Sequence, residues 1–138
     1  MRKRSRLSLA AAVCAVLLLA ASCGGQKEEK AADARIEFLT GEEHDFGAYS
    51  ERDTMRFAFV FRNIGPEAFV ITRVEPSCHC TRAEYSKEPV QPGQTDSIVV
   101  SYDGNGFVPG FFVKRCDIYS NTDTVYHLRI HGKYLEKE

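Results

Sequence analysis

From Ile36 onward, alternation of apolar and polar residues dominates the chain. Met55, Phe57, Phe59 and Phe61 alternate with Arg56, Ala58, Val60 and Arg62, the period of two that sends successive side chains to opposite faces of a half-buried strand. Ile98, Val100 and Tyr102 alternate with Ser97, Val99 and Ser101. Phe112, Lys114, Cys116 and Ile118 share one side of a long strand, with Phe111, Val113, Arg115 and Asp117 opposite. Tyr126, Leu128 and Ile130 share a face of a last strand over 124–134. Asp45-Phe46-Gly47 is expected to close a short first strand, 69–74 to form another that ends at Pro76, and 83–86 to be a short edge piece. Asn63-Ile64-Gly65-Pro66, Pro89, Pro92-Gly93, Asp103-Gly104-Asn105-Gly106 and Ser120-Asn121-Thr122-Asp123 supply the turns between them,. After the N-terminal run, no segment carries a useful helical period. About seven short strands at roughly ten-residue spacing predict an all-β chain folded as an immunoglobulin-like antiparallel β-sandwich.

The N-terminal residues follow a different pattern. Arg2, Lys3, Arg4 and Arg6 precede an apolar run from Leu7 to Ala21 broken only by Ser8. That is shorter than the roughly 20 residues a bilayer span needs and suits the apolar region of a signal peptide. It ends Leu18-Leu19-Ala20-Ala21-Ser22-Cys23, which resembles a lipobox, where the cysteine thiol is diacylglycerylated and becomes the mature N-terminus. Leucine falls at the fourth place before Cys23, where the third is commoner. A plain secretory signal cut near Ala21, or an uncleaved anchor, is the alternative. Gly24 to Arg35 holds no large apolar residue, so it has nothing to offset its ordering entropy and is expected to be a flexible tether. Its Lys27-Glu28-Glu29 resembles the charged export patch of Bacteroidota surface lipoproteins, and an ordinary solvated linker has the same composition. The expected organisation is a lipoprotein signal peptide over 1–22, the lipidated Cys23 with its tether over 23–36, and the sandwich over 37–138. The protein would sit in the cell envelope, held to the membrane by its lipid and facing either the periplasm or the outer surface.

Charge narrows the partner classes. The full chain carries a formal −1, and loss of the four signal-peptide basic residues takes it to −5. A mildly acidic chain without clustered Lys and Arg argues against a nucleic-acid partner.

The chemistry concentrates at Pro76-Ser77-Cys78-His79-Cys80-Thr81, with two thiols and an imidazole within three residues. Four arrangements are open. A Cys78–Cys80 disulfide closes a very small ring, easily reduced and suited to thiol–disulfide exchange. Two thiolates with His79 suit Cu(I) or Zn(II), a fourth ligand coming from His44, His127 or His131. Either cysteine can bridge to Cys116, or both can stay unbonded in a turn. Cys116 keeps the inward phase of Phe112 and Ile118, as a small core residue would. There is no Cys-X-X-Cys and no βαβ pattern, and His44-Asp45 is accompanied by no nucleophile motif. His44 is therefore expected to be a polar strand-end residue, and His127, Arg129 and His131 a solvated outer face. Asp53-Thr54-Met55, Asp96-Ser97-Ile98 and Asp123-Thr124-Val125 resemble the O-glycosylation motif of Bacteroidota envelope proteins and equally suit strand starts.

His44-Asp45-Phe46-Gly47, Phe59-Val60-Phe61-Arg62-Asn63-Ile64-Gly65, Ser77-Cys78-His79-Cys80-Thr81, Val90-Gln91-Pro92-Gly93 and the stretch from Gly110 to Asn121 together resemble the bacterial domain-of-unknown-function family 1573, common among Bacteroidota lipoproteins. The resemblance covers about residues 42–134. It implies an immunoglobulin-like sandwich similar to pilus-chaperone-like and cilium-associated domains, with no assigned activity. The family's turn usually reads Cys-Gly-Cys-Thr. Here His79 replaces the glycine, adding a ligand-capable side chain and removing glycine's easy access to positive φ. The expected function is a non-catalytic, lipid-anchored envelope protein without a cofactor, whose domain binds or scaffolds an envelope protein or glycan. The alternative is a thiol-redox or Cu/Zn-handling protein acting through Cys78, His79 and Cys80.

Overall fold

The computed structural model describes residues 33–50, 53–104 and 108–136, and all helix-or-strand structure in them is β. The signal peptide, Cys23, most of the tether, and Asn105 and Gly106 of a loop lie outside the described residues. The strands are β1 (Ile36–Phe38), β2 (Glu43–Tyr49), β3 (Met55–Asn63), β4 (Ile71–Pro76), β5 (Thr81–Glu84), β6 (Thr95–Tyr102), β7 (Gly110–Ser120) and β8 (Tyr126–Tyr134). They form two four-stranded sheets, ordered β1-β3-β6-β5 and β2-β8-β7-β4. The all-β sandwich that the alternation predicts is what the chain forms.

The inward-facing residues of the central strands make the core. Phe59, Phe61, Ile98, Val100, Cys116, Ile118, Leu128 and Ile130 are each 2% exposed or less. Each large side chain so buried contributes about 1.5–3 kcal/mol. Phe69 is also fully buried, although it lies outside the strands. It pairs with Val90 in an isolated bridge and meets Phe61 and Tyr126 edge-on at 5.8 and 5.9 Å. The strand expected from Phe69 accordingly begins at Ile71, and the edge piece expected over 83–86 runs from Thr81 to Glu84.

Three further expectations need correction. Ala34 and Ile36 are buried, so the fold begins inside the stretch assigned to the tether, and β1 adds an eighth strand by pairing with β3. β2 lies parallel to β8, so that sheet is mixed where an antiparallel one was expected. Asp45-Phe46-Gly47 does not end β2 but bends it. The Gly47 amide donates to Asp45 Oδ1 at 2.8 Å, Gly47 has φ 70°, and the register on β8 shifts between Asp45 and Ala48. An extra residue in one strand, with glycine left-handed, is a β-bulge.

The registers also give the domain two poles. Thr81 and Met55 pair with Tyr102 at one end of the first sheet. Ile36 pairs with Asn63 at the other. The length of β3 separates them, roughly 26 Å at about 3.3 Å per residue. The chain thus joins the sandwich at the pole away from the cysteine turn.

Candidate functional site at the cysteine turn

β4 and β5 are edge strands of different sheets, and residues 77–80 carry the chain between them. Proline fits the end of β4 because an edge strand tolerates a missing donor. The Ser77 amide donates to the Arg115 carbonyl at 2.8 Å, and the Arg115 amide donates back to Ser77 Oγ at 3.0 Å. Farther on, the Thr81 amide donates to the Cys78 carbonyl at 3.2 Å, and the Asp103 amide to the Cys80 carbonyl at 3.0 Å. Both ends of the turn are therefore held by hydrogen bonds.

Cys78 and Cys80 are joined in a disulfide, with Cα atoms 5.3 Å apart. Cys78 is half-buried, and Cys80 is 5% exposed. A bridge that closes a loop from Cys78 to Cys80 does little to restrain the unfolded chain, roughly 1.6 kcal/mol in the loop-entropy relation against about 3 for a 15-residue loop. The Thr81 hydroxyl, itself buried, lies 3.4 Å from Cys78 Sγ and 3.9 Å from Cys80 Sγ. Neither bonded sulfur carries a hydrogen, so the hydroxyl is the donor. Beside Cys78 opens a wide depression of about 1070 Å³, lined by Val74, Pro76, Ser77, His79 and Arg82 among others. Behind Cys80, Tyr102 stacks on Phe112 at 4.1 Å and 16°, closing the sandwich end.

Cys116 is free and buried. It sits opposite Pro76 in the β4–β7 register, unbonded to either turn cysteine. Burial, aided by Asp117, pushes its thiol from 9.0 up to about 11, so it stays protonated at neutral pH.

The histidines do not converge on the turn. His44 lies on β2, at the opposite edge of its sheet from β4, roughly 14 Å away at about 4.8 Å per strand. It sits at the start of β2, the strand-end place expected of it. It points inward, stacked on Phe57 at 3.6 Å and 10° and edge-on to Phe46 at 4.7 Å. Burial lowers its pKa, against the pull of Asp45. On β8, His127 Nδ1 is 2.7 Å from Asp117 Oδ1. Burial alone would raise the Asp117 carboxyl, but hydrogen bonds from His127 and Arg115 more than offset this and hold it below its usual range. His131 lies between Glu43 Oε1 at 3.1 Å and Asp45 Oδ1 at 3.4 Å. His79 is exposed at the turn. Among the described residues, no group of three His, Cys, Asp or Glu is arranged to hold a metal. With the two sulfurs bonded to each other, thiolate ligation would first require the bond to be reduced. At two of the glycosylation-like motifs the aspartate accepts from the next amide, Thr54 and Ser97, each at 2.7 Å.

In sequence Thr81 is only the last residue of the Ser77-Cys78-His79-Cys80-Thr81 motif, and its role emerges with the fold. The available signal was its place directly after the second cysteine, where a short hydroxyl side chain can fold back on the sulfurs.

The family described as Protein of unknown function (DUF1573) matches residues 36–134. The chain belongs to the DUF1573 family. No protein of curated function matches it. Among solved structures, this DUF1573 domain is similar to a protein of unknown function from Porphyromonas gingivalis W83, at TM-score 0.65 and 15% identity over 75% of this chain. The match covers 48% of that protein, so the chain spans about half its length. It is also similar to the ASH/PapD-like domain of human CEP192, at TM-score 0.55 and 9% identity over 83% of this chain and 92% of that one. A third likeness is to the YadV chaperone, at TM-score 0.51 and 8% identity over 74% and 52% of the two chains. At such identities the likeness concerns the fold, and the PapD-like neighbour makes this DUF1573 domain an immunoglobulin-like β-sandwich.

Proposed function

We propose that this DUF1573 protein is a lipid-anchored component of the cell envelope whose immunoglobulin-like domain binds or scaffolds another envelope protein or glycan. The observation that carries the reading is the polarity of the domain. The chain joins the sandwich at the Ile36 pole, where a lipid on Cys23 and its tether would hold it. At the far pole, Val108, Phe111 and Val113 are 76, 83 and 62% exposed, with Lys133 Nζ 5.0 Å over the Phe111 ring. An exposed aromatic with aliphatic neighbours is a docking feature on a surface otherwise knitted by ion pairs. Those pairs include Arg56–Glu84, Arg73–Glu75 and Arg115–Asp117. The free edges of β4 and β5 offer a second mode, addition of a partner strand.

A photo-crosslinking residue at position 111, in cells, should yield a discrete adduct that the same residue at Glu37 does not. Cys23→Ser should move the protein from the membrane to the soluble fraction. Retention of the Cys23→Ser protein in washed membranes would refute the anchor, and absence of any adduct from position 111 would refute the docking pole.

A further inference from the structure

We propose that the Cys78–Cys80 disulfide is a thiol–disulfide exchange site that oxidises an extended, cysteine-bearing peptide lying in the depression beside Cys78. The proposal does not depend on the anchor or on the docking pole. It rests on an asymmetry. Cys78 is half-exposed and lines the open depression, whereas Cys80 is buried. An incoming thiolate therefore reaches the sulfur of Cys78, and Cys80 is the leaving group. The depression follows the end of β4 from Val74 to Ser77, and β4 is an edge strand. An extended segment laid along that edge brings its own cysteine to Cys78.

The turn is built to survive reduction. Its four anchoring hydrogen bonds run through Ser77, Arg115, Thr81, Cys78, Asp103 and Cys80 without using a sulfur atom. The Thr81 hydroxyl stands within reach of both sulfurs, placed to donate to the thiolate that leaves. Cys116, the remaining cysteine among the described residues, is buried and unbonded and takes no part.

The step balances as follows. A substrate thiol loses its proton to solvent, and its sulfur bonds to Cys78 Sγ. The Cys78–Cys80 bond breaks, and its electron pair stays on Cys80 Sγ as a thiolate. The substrate's second thiolate then attacks the substrate sulfur of the mixed disulfide and expels Cys78 as a thiolate. The substrate dithiol has become a disulfide, the turn has become a dithiol, and the two released thiolates take protons from solvent. A partner protein carrying a disulfide reoxidises the turn by the same exchange in reverse.

The full chain, purified in detergent, is equilibrated in glutathione buffers of stepped thiol-to-disulfide ratio and alkylated. The peptide holding both cysteines is then weighed, while circular dichroism follows the fold. Reversible conversion with an unchanged β spectrum is expected. A bond that stays oxidised at every ratio, or opens only as the spectrum collapses, overturns the proposal. Cys80→Ser and Cys78→Ser chains are next mixed with the disulfide dimer of a short cysteine peptide, and separately with oxidised glutathione. Mixed disulfide should form about tenfold faster on Cys78 than on Cys80, and about tenfold faster from the peptide than from glutathione. Equal rates on the two cysteines overturn the point of attack, and equal rates for peptide and glutathione overturn the peptide as substrate. In the otherwise wild-type chain, Thr81→Val should slow reduction while leaving the spectrum intact, and an unchanged rate removes the hydroxyl from the mechanism.

Discussion

Asn63 shows how one side chain can bind three segments together. It is fully buried. Its Nδ2 donates to the Glu67 carbonyl at 2.7 Å and the Val90 carbonyl at 2.8 Å, and its Oδ1 accepts the Gly65 amide at 2.9 Å. Asn63→Leu keeps the volume but strips partners from buried backbone groups, each worth about 1–3 kcal/mol. A loss of about 3 kcal/mol in urea denaturation is expected. Asn63→Asp is the sharper variant, because it turns an oxygen toward two carbonyl oxygens. The protonated carboxyl is then favoured in the folded state, so its folded pKa lies above its unfolded value. Stability relative to the native chain should therefore recover as pH falls from 7 toward 4, and a deficit that does not change with pH would remove Asn63 from this role. From the sequence, Asn63 looked like an ordinary turn former, because its burial depends on Val90, which no local pattern connects to it. The cysteine turn was legible for the opposite reason. Its chemistry is carried by residue type and spacing alone, while the placement of Thr81 under both sulfurs needed the fold.

The strands that could be read were those with a continuous ladder and one buried face. β3, β6, β7 and β8 show an uninterrupted period of two because each of their alternate positions meets the opposite sheet. β2 shows no such continuous period in sequence, because its bulge inserts a residue and breaks the alternation at Phe46 and Gly47. Its parallel pairing with β8 was also invisible, since partner choice depends on residues some eighty positions away in sequence. The bulge depends in turn on Gly132 across the ladder. A Cβ there would stand 3.0 Å from the Gly47 carbonyl oxygen and 3.0 Å from the Phe112 ring. Gly132→Val should force β2 away from β8 and cost about 1–3 kcal/mol, the usual range for overpacking. Amide exchange should quicken in Glu43–Tyr49 and stay slow in β3 and β6. Faster exchange spread evenly over both sheets would mean that the close approach is not local to the bulge.

At the scale of the molecule, the alternation specified two packed layers but left open how the ends of the chain are joined. β8 is the element on which both ends depend. It pairs with β7 on one side and is the ladder partner of β2 on the other, and it contributes Leu128 and Ile130 to the core. Cutting the chain after Asp123 would leave β2 without a partner and reduce the second sheet to β4 and β7. A two-stranded remnant has too little apolar face to stand alone in water, and the first sheet would lose the surface its phenylalanines cover. Such a chain should show no cooperative thermal transition. Removing the residues through Thr40 takes away β1, a three-residue edge strand, together with the buried Ala34 and Ile36. With typical domain stabilities of about 5–15 kcal/mol, that chain should keep a cooperative but lower melt. The two truncations separate a domain closed by its last strand from one whose sheets are independent. If the chain cut after Asp123 still melts cooperatively, the sheets fold separately, and the β2–β8 ladder is an accessory to the sandwich rather than the contact that closes it.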